Sequence, residues 1–313
     1  MLGFIILGVL IIIVLIIFVA VSWTLSNHVL QPKVIDCEKL YQREIEDGRL
    51  TEKIYESWKK EDFTIKSRYG YDLSCQLINN QNSKVQFEQP NGKIKLAIIC
   101  HGYTCGKYSS MMYAELFLKK GITVITYDQR NHGLSGKAFT SMGYYEKFDL
   151  QTILDWCYEE YGKNIAIVTH GESMGAATVL SHLAIDGRVR CTIADCSYSR
   201  LKELIGYQLK NFYNLPTFPF LQIARIIIKL RAGFWIDDVV PIDAAAKSNA
   251  PILFIHGLED DYVPCSMTQD IYDAKRDKKE IYIAPNAKHA QSCQNNRKEY
   301  EKVLNDFLDQ YYY

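Results

Sequence analysis

Residues 164–180 read NIAIVTHGESMGAATVL. A short apolar run, typical of a buried strand, is followed by the pattern Gly171-x-Ser173-x-Gly175 and then by a helix-like stretch. A sharp turn from strand to helix would lift the serine hydroxyl out of the sheet edge, and the two glycines leave room beside neighbouring backbone. The alternative is an ordinary serine helix cap with glycines used for packing.

Ser173 is therefore a candidate nucleophile at a helix N-terminus, where free N–H groups favour developing negative charge. A serine hydroxyl needs a base, and a third group must orient that base. Asp260 lies in a loop after the strand-like run 251–255, and His289 lies in the loop after the final run, 281–284. Both loops would open at the same sheet edge as Ser173. The carboxylates that stay open as alternatives to Asp260 are Glu259, Asp261 and Asp195.

Strand-like and helix-like segments alternate through most of the chain. The strand-like runs are 94–100, 122–127, 164–169, 190–194, 251–255 and 281–284. The helix-like stretches are 110–119, 145–161, 174–185, 267–274 and 295–311. This alternation predicts an α/β fold with a mostly parallel central sheet and helices on both faces. Earlier, alternating residues at 63–67 and 71–78 predict a hairpin, and 79–92 is rich in turn residues.

The interval 197–250 interrupts the alternation and is too long for a simple crossover. Two stretches within it, 201–211 and 221–231, have helical apolar spacing. We predict a small helical cap inserted over the carboxyl edge of the sheet, where open α/β sheets bind ligands. Its large apolar residues would either contact an apolar acyl or alcohol group or dock the cap on the core. They are Phe212, Phe218, Phe220, Phe234 and Trp235.

The N-terminal segment is a separate feature. Residues 2–21 carry no charge, and about 20 apolar residues in a helix cross the hydrocarbon layer of a bilayer. Trp23 follows at the expected interface. A cleaved signal peptide is the alternative, but no Lys or Arg precedes the apolar run. We predict an anchor at 1–23, a tether at 24–60 with a helix over 37–58, and a globular domain at 61–313. Charge placement leaves the side of the membrane open.

Composition excludes some functions. The 313 residues carry 36 Lys and Arg against 36 Asp and Glu, so no net charge draws nucleic acid. The nine cysteines are scattered and include no CxxC, so neither a zinc site nor a disulfide framework is indicated. No His pair has zinc spacing with an acidic partner, so we predict no metal. No phosphate-binding loop of the P-loop type is present.

Five motifs in order carry a family resemblance. His101-Gly102 follows the first long strand, and Asp128-Gln-Arg130-Asn-His132-Gly133-Leu-Ser135 follows the next. The Gly-x-Ser-x-Gly turn comes third. The fourth motif reads HGLEDDYVP over 256–264, and the last reads AKHA over 287–290. From about residue 60 onward the chain resembles α/β-hydrolases, close to serine aminopeptidase-like, lipase-like and esterase-like members.

The resemblance implies roles for particular residues. It implies Ser173 as nucleophile, Asp260 as acid and His289 as base. It implies an oxyanion hole formed by the backbone N–H groups of Tyr103 and Met174. His101, His132 and His256 belong to family loops, where we expect them to hold turns.

The reaction implied is hydrolysis through an acyl-enzyme, with no dissociable cofactor. A small-molecule or lipid-like carboxylic ester is the expected substrate, and an amide or thioester is open. An aminopeptidase-like peptide hydrolase is an alternative, although no carboxylate can be assigned to a substrate amine. A non-catalytic, membrane-tethered binding or scaffold domain is the alternative from another class. The oligomeric state stays open.

Overall fold

The computed structural model describes residues 1–80 and 93–313. Within these ranges one eight-stranded sheet has the order β1-β2-β4-β3-β5-β6-β7-β8. The strands are β1 (Trp58–Lys66), β2 (Asp72–Asn80), β3 (Ile94–Cys100), β4 (Thr123–Tyr127), β5 (Ile165–Glu172), β6 (Val189–Asp195), β7 (Ile252–Gly257) and β8 (Lys279–Ala284). β1 and β2 form the predicted antiparallel hairpin, and β2 also pairs antiparallel with β4. The other pairs are parallel, which confirms the predicted sheet. Most of the turn-rich stretch at 79–92 lies outside the described residues.

Helices cover both faces of the sheet. They are α1 (Leu2–Leu30), α2 (Cys37–Glu46), α3 (Glu52–Glu56), α4 (Met111–Lys119), α5 (Glu146–Tyr161), α6 (Met174–His182), α7 (Leu201–Asn211), α8 (Phe220–Ala232), α9 (Pro241–Lys247), α10 (Cys265–Ala274), α11 (Ser292–Asn295) and α12 (Arg297–Tyr311). Side chains alternate along β3: Ala97 and Ile99 pack in the core under α4 and α12, whereas Leu96 and Ile98 pack under α5 and α6. Burial on both faces explains why the parallel strands are almost continuously apolar.

The parallel strands bring three loops to one edge. β5, β7 and β8 all run in the same direction, so their carboxyl ends meet there. Ser173 follows β5, Asp260 lies in the loop after β7, and His289 lies in the loop after β8.

The first part of the inserted interval folds as helices above that edge: α7, α8 and a short 3-10 turn at Ile236–Asp238. The predicted cap bounds of 197–250 are too wide, because α9 packs with α6 and α10 against a face of the sheet, where Ala245 joins the core cluster. A third apolar cluster joins this cap to α6 and to Leu30 of α1. Phe220 and Phe234 are buried in the cap, whereas Phe212 and Phe218 are exposed. Most of the predicted aromatic residues therefore do not line one shared pocket. Phe234, for example, stacks on Tyr144.

The N-terminal region differs from the predicted tether. α1 continues nine residues beyond Val21, because no Gly or Pro interrupts residues 22–30, and its last turns pack on the cap. The helix predicted over 37–58 is two short helices, α2 and α3. Gly48 lies between them with a φ of 68°, a left-handed conformation that turns the chain. Strand β1 then begins at Trp58, before the predicted domain start at 61.

Arg49 connects this region to the sheet edge. Its side chain is about nine-tenths buried, with Nε 3.3 Å from Oε2 of Glu44 and Nη2 3.4 Å from Oε2 of Glu172. Glu172 immediately precedes Ser173 and also accepts a 2.6 Å hydrogen bond from the Tyr113 hydroxyl. The segment after α2 is thus part of the globular unit.

Replacing Arg49 with Met is expected to lower the free energy of unfolding by about 3–5 kcal/mol, because the buried Glu172 carboxylate loses this cation and Glu44 keeps only the partly exposed Arg43. The measurement is denaturant unfolding of the full chain in detergent. Arg43→Met is the matched control, since Arg43 contacts the same Glu44 at 3.4 Å but is 39% exposed. We expect it to cost less than about 1 kcal/mol. Equal effects of the two variants would show that the contact between Arg49 and Glu172 contributes nothing to the free energy of unfolding.

Candidate active site

The turn that carries Ser173 is tightly built. Ser173 has φ 56° and ψ −115°, a strained conformation for a residue with a side chain, and its N–H donates to the Asp195 carbonyl at 2.8 Å. A Cβ on Gly175 would lie 2.0 Å from the Cys100 carbonyl oxygen, and one on Gly171 would lie 2.2 Å from the Gly175 carbonyl oxygen. Backbone occupies both spaces, so only glycine fits at either position.

Ser173, His289 and Asp260 form a continuous chain of hydrogen bonds. His289 Nε2 lies 2.9 Å from Ser173 Oγ, and His289 Nδ1 lies 2.7 Å from Asp260 Oδ2. Ser173 and Asp260 are buried, whereas the His289 side chain keeps 21% of its surface exposed. The residues are 116 and 29 positions apart in the chain, and the loops at the sheet edge bring them together.

Asp260 is fixed as an ionised acceptor. Its Oδ1 accepts the N–H groups of Tyr262 and Val263, both at 2.9 Å. Burial alone would raise the pKa of Asp260, but hydrogen bonds from His256 and His289 hold it well below its usual value. The side chains of the alternatives Glu259 and Asp261 are exposed. Of these three adjacent acids, Asp260 is therefore the one that is hydrogen-bonded to His289.

Sequence comparisons fit this geometry. Residues 92–210 match the model of a family described as serine aminopeptidase, S33. The uncharacterized protein YqkD of Bacillus subtilis (strain 168) is 37% identical over 293 residues, which cover 93% of this chain and 92% of that protein. A putative alpha/beta hydrolase, L404 of Acanthamoeba polyphaga mimivirus, is 25% identical over 236 residues, covering 72% of this chain and 76% of the relative. The chain belongs to the α/β-hydrolase superfamily.

Solved structures share the fold of this α/β-hydrolase. The Pyrococcus furiosus esterase Pf2001 superposes with a TM-score of 0.66 at 24% identity, covering 84% of this chain and 97% of the esterase. The acylaminoacyl peptidase of Pyrococcus horikoshii gives a TM-score of 0.59 at 18% identity, covering 83% of this chain and 43% of the peptidase. At these identities the likeness shows the fold alone, and it confirms the fold that the motifs imply.

The hydrolase has a second histidine on Asp260. His256 Nε2 lies 3.0 Å from Asp260 Oδ2 and 2.9 Å from the Val263 carbonyl oxygen, and its Nδ1 lies 2.7 Å from Thr268 Oγ1. The ring is completely buried. The sequence predicts a turn-holding role for His256 and misses this contact with Asp260. The available signal is the spacing: His256 is the last residue but one of β7 and lies four residues before Asp260.

Asp195, the remaining alternative acid, lies behind the site. It ends β6 and is fully buried. Burial, and next the negative charge of Glu172, raise the pKa of Asp195 to about 7. The histidine hydrogen-bonded to Ser173 has Asp260 on its other nitrogen, so Asp195 does not occupy the orienting position.

The two segments that would form an oxyanion hole lie beside Ser173. Met174 is the first residue of α6, so its N–H has no partner within the helix. On the other side, a Cβ on Gly102 would lie 3.7 Å from Ser173 Cβ, which places the start of the His101–Gly102 loop next to the hydroxyl. Tyr103 follows, and its hydroxyl donates to the His28 carbonyl of α1.

A cavity of about 230 Å³ borders the site. Tyr262 forms one wall, and its ring centroid lies 4.9 Å from that of His289. Tyr103 forms another wall. Most of the other lining side chains are apolar, including Met142, Leu201 and Leu204, and none of the described residues that line the cavity is acidic.

One group near the site has metal-ligand types. Potential ligand atoms of Cys196, Asp260 and His289 lie within 4.8 Å of one another. Burial raises the pKa of the Cys196 thiol well above its usual value, and the thiolate is the form that binds metals. Asp260 and His289 are already hydrogen-bonded to each other. The donor set therefore fits a hydrogen-bonded relay better than a metal centre.

Proposed function

We propose that this protein is a membrane-anchored serine hydrolase that cleaves carboxylic esters through an acyl-enzyme intermediate. The observation that carries the proposal is the unbroken hydrogen-bonded chain from Ser173 through His289 to Asp260. Along the chain the nucleophile comes first, the orienting acid second and the base last, which is the order typical of this superfamily.

The reaction follows from the hydrogen bonds. Nδ1–H of His289 donates to Asp260, which leaves Nε2 free to accept the Ser173 proton. Ser173 Oγ then attacks the ester carbonyl carbon. The oxyanion of the tetrahedral intermediate accepts hydrogen bonds from the N–H groups of Tyr103 and Met174. His289 next protonates the leaving alcohol. Finally His289 takes a proton from water, whose oxygen attacks the acyl-enzyme and releases the acid.

The cavity supports an ester over a peptide with a free N-terminus. An aminopeptidase-like enzyme would place a carboxylate near the substrate amine, because a buried ammonium needs a counter-charge. The described lining of the 230 Å³ cavity offers apolar and polar side chains instead, and none of them is acidic. An uncharged carboxylic ester with an apolar acyl group fits that lining.

The N-terminal helix supports the anchor. α1 is long and apolar enough to span a membrane, and none of its most apolar 18-residue window is buried. A helix of the protein core would be covered, so that reading does not fit. The last turns of α1 pack on the cap, where the Ser22 hydroxyl donates to the Phe220 carbonyl at 3.2 Å. Signal-peptide cleavage at the Ala20-Val21-Ser22 site would fall after Ser22 and would remove this contact.

A fluorophosphonate probe tests the catalytic part of this proposal on the full chain in detergent. We expect covalent labelling of the wild type and none of Ser173→Ala, because the probe reacts with an activated serine. Ser181→Ala is the matched control, since Ser181 lies buried on the same helix α6. It should be labelled like the wild type. Equal labelling of both variants would exclude Ser173 as nucleophile, and an unlabelled wild type would favour a non-catalytic binding domain.

A further inference from the structure

The last turns of α1 reach the cavity beside the candidate active site. His28 and Val29 line it, opposite side chains of α7. The Tyr103 hydroxyl donates to the His28 carbonyl, and the His28 ring stacks on Tyr213 with ring centroids 6.1 Å apart. The same helix therefore carries the apolar span at one end and a wall of the cavity at the other.

This end of α1 is held firmly on the cap. Arg231 of α8 donates to Ser26 Oγ at 2.8 Å and to Asn27 Oδ1 at 2.7 Å, and its guanidinium lies 4.3 Å from the Trp23 ring. Leu30 is fully buried, and its carbonyl accepts the Thr140 N–H at 3.0 Å. Backbone and side-chain contacts fix both sides of the helix, so the wall does not depend on a loose tether.

The helix geometry sets the height of the cavity above the membrane. His28 lies seven residues beyond Val21, which is about 10 Å at 1.5 Å per residue. Headgroups extend roughly 5–8 Å beyond the hydrocarbon on each side. With the hydrocarbon ending at Val21 and the helix along the membrane normal, the cavity wall would lie within about 5 Å of the outer edge of the headgroup layer. On the same side, the ring of Phe18 in the span packs against that of Phe220 in α8, with ring centroids 5.3 Å apart. Phe218 is 72% exposed.

We infer that the end of the anchor helix forms part of the acyl-binding pocket, and that the substrate is an uncharged amphipathic ester taken from the bilayer surface. The acyl chain enters between Val29 of α1 and Ile205 of α7. The cavity is smaller than the roughly 300–1,000 Å³ of common ligand pockets, so it takes one acyl chain of modest length. This inference rests on the proposed esterase function for its chemistry, whereas its membrane geometry does not.

The first experiment fills the pocket from the anchor side. Val29→Trp is expected to lower the ratio of kcat/KM for octanoyl against acetyl 4-nitrophenyl esters by about tenfold or more, as removing room for several methylenes should. Val19→Trp is the matched control: it lies in the exposed span of the same helix and should keep the wild-type ratio. An unchanged ratio in Val29→Trp would overturn the inference that Val29 forms a wall of the acyl-binding pocket.

A smaller substitution covers the case in which Val29→Trp does not fold, as judged by fluorophosphonate labelling. Val29→Ala enlarges the pocket and should raise the octanoyl-to-acetyl ratio by about threefold or more. If Val29→Trp is unlabelled, a wild-type ratio in Val29→Ala overturns the inference. Absence of Ser173-dependent labelling in the wild type is a different result, since it rejects the proposed function.

The second experiment tests the position of the cap on the membrane and needs no activity. Phe218→Trp in vesicles of phosphatidylcholine should give fluorescence that brominated lipid quenches. Ile185→Trp is the control, because Ile185 follows the far end of α6, away from the Ser173 edge, and is 40% exposed. Its added fluorescence should not be quenched. Equal quenching of the two added tryptophans, or no quenching at 218, overturns the placement of the cavity at the bilayer surface.

Discussion

His289→Ala is expected to lower kcat for an activated ester by about a million-fold, the scale of losing the base in a serine hydrolase. His289 Nε2 is the group placed 2.9 Å from Ser173 Oγ. Without it the serine proton has no acceptor, and the leaving alcohol has no donor. The measurement is steady-state hydrolysis of a 4-nitrophenyl ester by the full chain, with Ser173→Ala as the blank.

His182→Gln is the matched control for that loss. His182 is a buried histidine on α6 that contacts neither Ser173 nor Asp260 through a hydrogen bond. It should keep kcat within about tenfold of the wild type, because only packing and stability are altered. Comparable losses in the two variants would mean that histidine substitutions disturb the fold, and that His289 has no special part in the chemistry.

Asp260→Asn is expected to lower kcat by about ten-thousand-fold while leaving the backbone geometry in place. The asparagine oxygen can still accept the N–H groups of Tyr262 and Val263. Its NH₂ group would then replace Oδ2 and face both His289 Nδ1 and His256 Nε2. The contact with His289 favours the tautomer of His289 with the proton on Nε2, which cannot accept the serine proton. Asp261→Asn, a neighbouring and exposed control, should hydrolyse the ester like the wild type.

Two further measurements sharpen the Asp260 prediction. The double variant of His289→Ala with Asp260→Asn should be no slower than His289→Ala, because the acid acts only through the histidine. Additive losses in kcat would contradict the relay.

The free energy of unfolding should also fall as the solution is made acidic. The folded-state pKa of Asp260 is depressed, so its contribution is complete at neutral pH and is lost as pH falls below about 4. The free energy of unfolding of Asp260→Asn should not show this loss at low pH.

The sheet and the loops that carry Ser173, Asp260 and His289 were predictable because their signals are local. Apolar runs of strand length separated by helix-length stretches fix a parallel order, and parallel strands place all their carboxyl ends together. The Gly171 and Gly175 pair marks a turn where backbone leaves no room for a Cβ. Residues after three such strands therefore meet, although 116 positions separate Ser173 from His289.

Contacts between distant elements were not predictable in the same way. Residues 24–60 read as a polar tether, yet Arg49 is buried against Glu172 because two carboxylates on separate elements meet it. The helix that carries the apolar span was predicted to end near residue 23, and its continuation to Leu30 gains stability from Arg231 on α8. His256 likewise contacts Asp260 only because the β7 loop folds back over it.

Periodicity and motif order along the chain were enough to give the α/β fold, the superfamily and the three residues of the candidate relay, since each depends on short-range spacing and on strand direction. The cavity and its walls came from the tertiary structure alone. α1, the loop after β3 and α7 lie far apart in sequence, and their side chains enclose one volume only after the cap has packed. Packing of that kind depends on which surfaces meet, and no local pattern encodes it.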